Sequence, residues 1–243
     1  MKPYSALARF YDSLMYDFNY KGIIEKAREC FCFDGKRGME LCCGTGTASV
    51  MLAQAGAEIF AMDICPDMLN IAEKKAAEAG LNITFLAGDL NRFDYGRSYD
   101  FVFSLCDGFN YLKPQGAESF LQKTFDALKK NGLLFFDLST KYKAENILSD
   151  GVFFEDREEL TYLYTTKYNA KKAYADREVI IFEHTGANNY IRSEEKGRQY
   201  FYDTEYIIAL LKKIGFRVDF FDGDKLSTYK KNSQRLLVFA YKE

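Results

Sequence analysis

The sequence predicts an α/β fold: a mostly parallel sheet flanked by helices, with an antiparallel β cover inserted late in the chain. Three observations predict it. Between 37 and 138, short apolar runs alternate with stretches of helical periodicity, the pattern of strands joined by helical crossovers. The first of these runs leads into Glu40-Leu41-Cys42-Cys43-Gly44-Thr45-Gly46-Thr47, a glycine turn, and the next apolar run ends in Asp63. From 151 to 202 apolar residues alternate with polar ones and helical periodicity is lost.

The elements follow in order. Residues 4 to 32 are aromatic-rich, with Tyr4, Phe10, Tyr11, Tyr16, Phe18 and Tyr20 among apolar positions at roughly helical spacing. This segment is either a helix pair packed on the domain or a lid whose tyrosines reach a ligand. Arg37 to Cys43 reads as a strand, Thr47 to Ala55 as a helix and Glu58 to Met62 as a second strand. Pro66 opens a helix over Asp67 to Ala79, where a missing amide costs little. Strands follow at Ile83 to Ala87 and at Tyr99 to Leu105, the latter apolar enough to be buried on both faces. A helix over Gly116 to Lys130 is expected to close on Asn131-Gly132 as a C-cap, before a fifth strand at Leu133 to Leu138. In the cover, runs such as Leu160-Thr161-Tyr162-Leu163-Tyr164 and Val179-Ile180-Ile181-Phe182-Glu183 are separated by turns at 169–172 and 186–189. Asp203 and Gly215 cap a helix over Thr204 to Ile214, and strands at Phe216 to Phe221 and Arg235 to Tyr241 close the chain.

Composition narrows the function classes. The 243 residues suit one α/β domain with an elaboration, and 48% hydrophobic content supplies a sizeable core. A net charge of −2 argues against a large phosphate-tracking surface. No early basic-then-apolar segment and no apolar span of about 20 residues is present, so a soluble, cytoplasmic chain without a membrane span is expected. Cysteines at 30, 32, 42, 43, 65 and 106 form no Cys-x-x-Cys pair, and His184 is the single histidine. They are expected to be reduced, mostly buried small residues, with no metal site.

Strand, glycine turn, helix, second strand and terminal acid together make half of a nucleotide-binding fold. A dinucleotide would require its pyrophosphate at the helix N-terminus, through Gly-x-Gly-x-x-Gly. Counting from Gly44, the third glycine position holds Ser49, so that fingerprint is incomplete. S-adenosylmethionine has no phosphate and carries a cationic sulfonium, so its site should offer carboxylates. Glu40, Asp63, Asp89 and Asp107 follow or end successive strands, at the carboxyl edge where open α/β sheets bind ligands. Asp100 precedes its strand and reads as structural.

These residues resemble a known family. Glu40 to Thr47, Met-Asp-Ile-Cys-Pro-Asp-Met-Leu at 62 to 69, Ala-Gly-Asp-Leu at 87 to 90, Asp-Phe-Val-Phe-Ser-Leu from 100 and Leu-Lys-Lys-Asn-Gly-Leu-Leu from 128 are similar to class I S-adenosylmethionine-dependent methyltransferases. With the closing helix and two strands, the likeness covers roughly 36 to 140 and 203 to 241. Phe10-Tyr11-Asp12-Ser13-Leu14-Met15 resembles the small-molecule branch with an N-terminal helical lid. The family's turn often begins with glycine where this chain has Cys42; a small residue fits there if the position needs no positive φ.

The resemblance implies a Rossmann-like seven-stranded sheet. The methyltransferase domain would span 1–150 and 203–243, with a lid at 1–35 and an antiparallel cover at 151–202 between strands five and six. It implies S-adenosyl-L-methionine as cofactor and S-adenosyl-L-homocysteine as product. Glu40 would lie near the cofactor's amino group, Gly44 and Gly46 would admit the methionine portion, and Asp63 would bind both ribose hydroxyls. Ile64 and Met68 would flank the adenine, and Asp89 with the Leu90 amide would read its edge. The backbone at Ser104 and Leu105 would face the amino-acid head, with Tyr11 closing over it from the lid. Structural alternatives stand beside these roles: Glu40 as partner of a nearby amide, Asp63 as a helix cap, Asp89 as a turn residue, Met68 and the tyrosines as packing.

The partner implied is a small-molecule acceptor methylated on nitrogen or oxygen by in-line displacement, with neither nucleic acid nor membrane. Asp107, Tyr111 and His184 are the candidates for proton transfer. Tyr20, Asn110, Tyr111, Arg198 and Tyr200 are the candidates for an acceptor pocket. A nucleic-acid methyltransferase remains an alternative, although the fourth strand is followed by Cys106-Asp107-Gly108-Phe109-Asn110 and not by an Asn/Asp-Pro-Pro-Tyr/Phe run. A nicotinamide-dependent oxidoreductase and a catalytically silent cofactor-binding module are the others. Oligomeric state is left open.

Overall fold

The computed structural model describes residues 4–187 and 189–243. After turns at 4–7, a single-turn helix (Ala8–Phe10) runs into α1 (Tyr11–Leu14) and then α2 (Tyr20–Arg28). The alternating region comprises β1 (Arg37–Leu41), α3 (Thr47–Gln54), β2 (Glu58–Asp63), α4 (Pro66–Glu78), β3 (Thr84–Ala87), β4 (Tyr99–Ser104), a single-turn helix (Gly108–Tyr111), α5 (Pro114–Ala127) and β5 (Leu128–Ser139). A short α6 (Lys141–Lys143) and a π-helical turn (Ala144–Leu148) lead to the cover, β6 (Val152–Asp156), β7 (Leu160–Asn169), β8 (Tyr174–His184) and β9 (Tyr190–Tyr200). The chain closes with α7 (Thr204–Ile214), β10 (Phe216–Asp222), β11 (Ser227–Thr228) and β12 (Arg235–Lys242).

The main sheet has the order β11-β10-β12-β5-β4-β1-β2-β3. β1 to β5 are parallel, and β12 runs antiparallel to both β5 and β10. This is the expected Rossmann-like, mostly parallel sheet with a separate antiparallel sheet inserted after the fifth strand. An eighth strand, β11, joins the expected seven; at two residues it carries no periodicity from which to read it.

Period-2 alternation puts a core on each face. Met39, Leu41, Val102, Leu134, Phe136, Leu236 and Val238 point to one face, where they meet α5 and α7 through Phe120, Leu121, Ile207 and Leu211. Ile59, Ala61, Phe101, Phe103, Leu133, Phe135 and Phe239 point to the other, against Ile23 and Ala27 of α2 and Ala48 and Leu52 of α3. Phe103, Phe135 and Phe239 stack as a ladder across β4, β5 and β12, with centroids 5.1 and 5.9 Å apart. Each such ring, fully buried, contributes about 2–3 kcal/mol.

Several expectations are corrected. The N-terminal segment is not helical throughout: only α2 is a helix of more than one turn, and residues 4–15 are a compact strap. Through Leu7, Phe10 and Leu14 that strap packs on Leu160, Val179 and Ile181 of the cover, while Ala8 packs on Cys65 and Met68 beside α4. The helix before β5 has no Asn131-Gly132 cap. It ends at Ala127, and Leu128 already pairs with Tyr99; Asn131 takes φ +61° inside the irregularity that separates this pair from Phe101–Leu133. The caps on α7 hold: Asp203 accepts from Glu205 N at 3.1 Å, and Gly215 has φ +119°. The cover has the expected antiparallel order β6-β7-β8-β9. Its first expected turn sits between Asn169 and Tyr174; the second includes residue 188, which lies outside the described residues. The cysteines are free thiols, but only Cys43 and Cys65 are buried, while Cys30 and Cys32 are exposed.

Candidate functional site

The carboxyl edge of the sheet is organised by Asp63 at the end of β2. Its carboxylate accepts from Gly44 N and from Cys65 N, both at 2.9 Å, tying the glycine turn after β1 to the entry of α4. Burial raises its pKa, against the pull of those amides. It is therefore more than a cap: it joins two turns across neighbouring strands and lines a cavity. The turn itself needs its glycines. Gly44 and Gly46 have φ of +54° and +73°, and a Cβ on Gly46 would lie 2.9 Å from the Ala72 Cβ. Cys42, which fits the family's turn only without a positive φ, is in fact left-handed at +58° and so departs from the family pattern; Cys106 and Asp107 are left-handed too, at +60° and +63°. Strained turns therefore follow both β1 and β4, on the edge where the site lies.

Glu40 is buried and bonds the Ser49 hydroxyl. Ser49, which breaks the dinucleotide fingerprint, thus holds a buried carboxyl in place. Burial pushes the Glu40 pKa up to about 8, against the Ser49 hydrogen bond.

A cavity of about 260 Å³ opens on this edge. Tyr11, Gly44, Asp63, Ile64, Met68, Asp89 and Leu90, all read from the sequence as cofactor residues, line it. Tyr111, read as an acceptor or proton-transfer candidate, lines it too, as do Tyr4, Cys42, Gly88, Asn91, Cys106 and Gly108. Glu40, Gly46 and Leu105 do not. Glu40 lies behind the glycine turn, Gly46 packs on Ala72, and Leu105 is core. Met68 is both lining and core. Asp89 both lines the cavity and makes a turn, accepting from Asn91 N at 2.9 Å. Two carboxylates and no lysine or arginine line this cavity among the described residues. That donor set fits a cationic, phosphate-free ligand and not a pyrophosphate.

A second cavity of about 240 Å³ adjoins it under the cover and shares Tyr4, Tyr11 and Cys106 as a wall. Asp107, Ser139, Lys143, Tyr162, Tyr164, Arg177 and Gln199 line the rest with apolar strap residues. Of the proton-transfer and acceptor candidates only Asp107 lies here. Burial alone would raise its carboxyl, but Arg235 and Lys143 overcome this and hold it below the usual range. Arg235 sits 2.6 Å from Asp107 and also pairs with Asp137, whose carboxyl burial pushes up.

The other candidates are placed elsewhere, and each displacement has a physical cause. Asn110 is fully buried and structural: its amide donates to Ser139 O and Tyr200 O at 3.1 and 2.9 Å and accepts from Ser139 N at 2.8 Å. Tyr200 packs on the core. Arg198 is exposed and forks onto Asp176 at 2.6 and 2.9 Å. His184 lies at the hairpin end of β8, where Nε2 meets Ala187 O at 2.8 Å, away from both cavities. Tyr20 packs on Phe18, centroids 4.4 Å apart, and lines neither cavity. Asp100 is structural, accepting from Arg37 N and Lys129 Nζ at the amino end of the sheet.

Some site residues carried no sequence signal. Asp12 of the strap accepts from Thr45 Oγ1 at 2.5 Å and pairs with Lys75 at 2.7 Å, latching the strap to the glycine turn. Glu195 of β9 accepts from the amides of Tyr4, Ala6 and Leu7 at 2.8, 2.7 and 3.2 Å, latching it to the cover. These pairs span up to 191 positions, beyond any motif.

Residues 39–132 match the family model for a methyltransferase domain. A provisionally named methyltransferase of Geobacillus sp. (strain WCH70) is 29% identical over 220 residues, covering 88% of this chain and 89% of its own. YqeM of Bacillus subtilis (strain 168), also provisionally named a methyltransferase, is 29% identical over 98% of this chain and 97% of its own. Among solved structures, an S-adenosylmethionine-dependent methyltransferase from Clostridium acetobutylicum ATCC 824 shares the fold, with TM-score 0.85 and 24% identity over 98% of each chain. The amino pentose methyltransferase CalS10 from Micromonospora echinaspora, solved with its cofactor, aligns with TM-score 0.71 and 16% identity over 96% of this chain and 97% of its own. Residues 39–132 are thus similar to methyltransferase domains, within a fold shared with S-adenosylmethionine-dependent methyltransferases.

Proposed function

We propose that this enzyme methylates a nitrogen or oxygen of a small molecule held in the second cavity, between the N-terminal strap and the β cover. The observation that carries this reading is the pair of adjoining cavities with Tyr4, Tyr11 and Cys106 as common wall, one lined by carboxylates and glycines, the other closed over by the cover. In the first, Asp63 takes the ribose hydroxyls, Ile64 and Met68 sandwich the adenine, and Asp89 with the Leu90 amide reads its edge. Gly44 and Gly46 allow the methionine portion close to the backbone. Tyr11 and the backbone around Leu105 face the amino-acid head, and Glu40 acts on it through the glycine turn.

Bound S-adenosylmethionine supplies an electrophilic methyl group on a sulfonium whose departure as a neutral thioether needs no acid. The chain's task is then to align the acceptor and exclude water, and alignment alone is worth effective molarities of about 10⁵–10⁸ M. Residues 4–15 act as the lid, sealed by Asp12 on one side and Glu195 on the other. Asp107 is a poor general base, because Arg235 lies against it and keeps its proton affinity low. Burial keeps Tyr4, Tyr11 and Tyr111 protonated, so they serve as hydrogen-bonding walls. The acceptor nucleophile must therefore arrive neutral, as an amine does when deprotonated. A cavity of about 240 Å³ and a net charge of −2 favour this reading over a nucleic-acid acceptor.

The test is mass spectrometry of reactions containing S-adenosylmethionine and pooled small amines and phenols, with a parallel arm of transfer and ribosomal RNA. A methylated small molecule with matching S-adenosylhomocysteine is expected. Methylation confined to the RNA arm would refute the proposal.

A further inference from the structure

Arg177 has no role in the mechanism above, yet it lines the acceptor cavity. Its Nε is buried without a hydrogen-bond partner among the described residues. The contrast with Arg198 and Arg235 is direct, since each of these pairs with a carboxylate at 2.6 Å. The carboxylate nearest in charge to Arg177, Glu195, is already occupied by three strap amides.

The fold makes room for this cation. Register across β8 and β9 puts Gly197 opposite Arg177, and a Cβ on Gly197 would lie 2.8 Å from Nε. The guanidinium carbon lies 4.3 Å from the Tyr4 ring centroid and 5.5 Å from that of Tyr111. Aromatic faces hold a cation without using its hydrogen bonds, so the planar fork of donors stays available. Lys143 lines the same cavity, where the one carboxylate, Asp107, is already paired with Arg235. The cavity lining thus offers two cationic side chains, Arg177 and Lys143, beside one carboxylate that is already engaged.

Resting on the assignment of this cavity to the acceptor, we propose that Arg177, assisted by Lys143, binds an anionic group of the methyl acceptor, a carboxylate or a phosphoryl group. The substrate class is then a small acid carrying a separate amine or hydroxyl, with its anion anchored on the cover and its nucleophile turned to the Tyr4–Tyr11 wall.

Titration calorimetry on the full chain, with and without saturating S-adenosylhomocysteine, tests this with phenylacetate, phenyl phosphate and neutral phenylacetamide. At least one anion should bind about tenfold or more tighter than the amide, and Arg177→Gln should abolish that preference while S-adenosylhomocysteine affinity stays unchanged. Which anion prevails separates carboxylate from phosphoryl chemistry. Should R177Q fail to fold, Lys143→Gln is expected to weaken the anion about threefold and leave the amide unaffected. Equal binding of amide and anions, or an anion preference that survives both substitutions, overturns the proposal. Loss of S-adenosylhomocysteine binding in the unmodified chain would instead contradict the cofactor site, and the arm without it still reads Arg177.

Discussion

Glu40 and Asp63 are neighbouring buried carboxyls at the ends of adjacent strands, and burial raises the proton affinity of both. For Glu40 the rise, from 4.5 to about 8, makes stability depend on pH. The folded state holds the proton that the unfolded state has released, so the stabilisation is complete below about pH 4.5 and is lost as pH rises through about 8. Glu40→Gln keeps a partner for Ser49 without the ionisation. Urea denaturation should show the variant gaining on the native chain between pH 5 and 8, by about 2–4 kcal/mol. A gap independent of pH would contradict this. Cys42 presents a backbone question: at φ +58° it occupies a region that glycine enters freely and β-branched residues resist. Cys42→Val should cost about 1–2 kcal/mol in thermal unfolding, whereas Cys42→Gly should be nearly neutral. Equal effects would remove the strain argument. At this scale the sequence revealed Asp63, Asp89 and the glycines, because each sits at a fixed offset from an apolar run. Asn110 and Arg177 were misread or missed because their surroundings come from strands far away in sequence.

The strap at 4–15 is held from two sides, by Asp12 on the glycine turn and by Glu195 on the cover. Glu195→Ala would leave the Tyr4, Ala6 and Leu7 amides without their acceptor, at a cost of about 2–3 kcal/mol to strap closure. Hydrogen exchange at those three amides should accelerate by about thirtyfold or more, while exchange in β4 and β5 stays slow. Unchanged protection in the strap would mean that Glu195 is not its latch. Strands and the long helices of the body were legible because burial on one or two faces imposes a period. The strap was not, since its apolar residues answer to two different surfaces and satisfy no single period. The junction of α5 and β5 was misjudged for a related reason: Asn131-Gly132 has the chemistry of a helix cap, but register with β4 uses it to restart a strand.

For the whole molecule, two cavities meet at one tyrosine-lined wall, the first built by the parallel sheet and the second completed by the inserted cover; we propose them as donor and acceptor sites. The mostly parallel sheet, the inserted antiparallel sheet and the acidic edge were all readable from alternation and from the position of acids after strands. The content of the second cavity was not, because it is assembled from strap, body and cover at once. The claim on which the rest depends is that Asp63 holds the donor in the first cavity. Isothermal titration of S-adenosylhomocysteine into the native chain and into Asp63→Asn tests it most directly. The account predicts saturable binding to the native chain and about tenfold or greater weakening in the variant, with its folding intact. Native binding that is absent, or that is the same in both proteins, would contradict it.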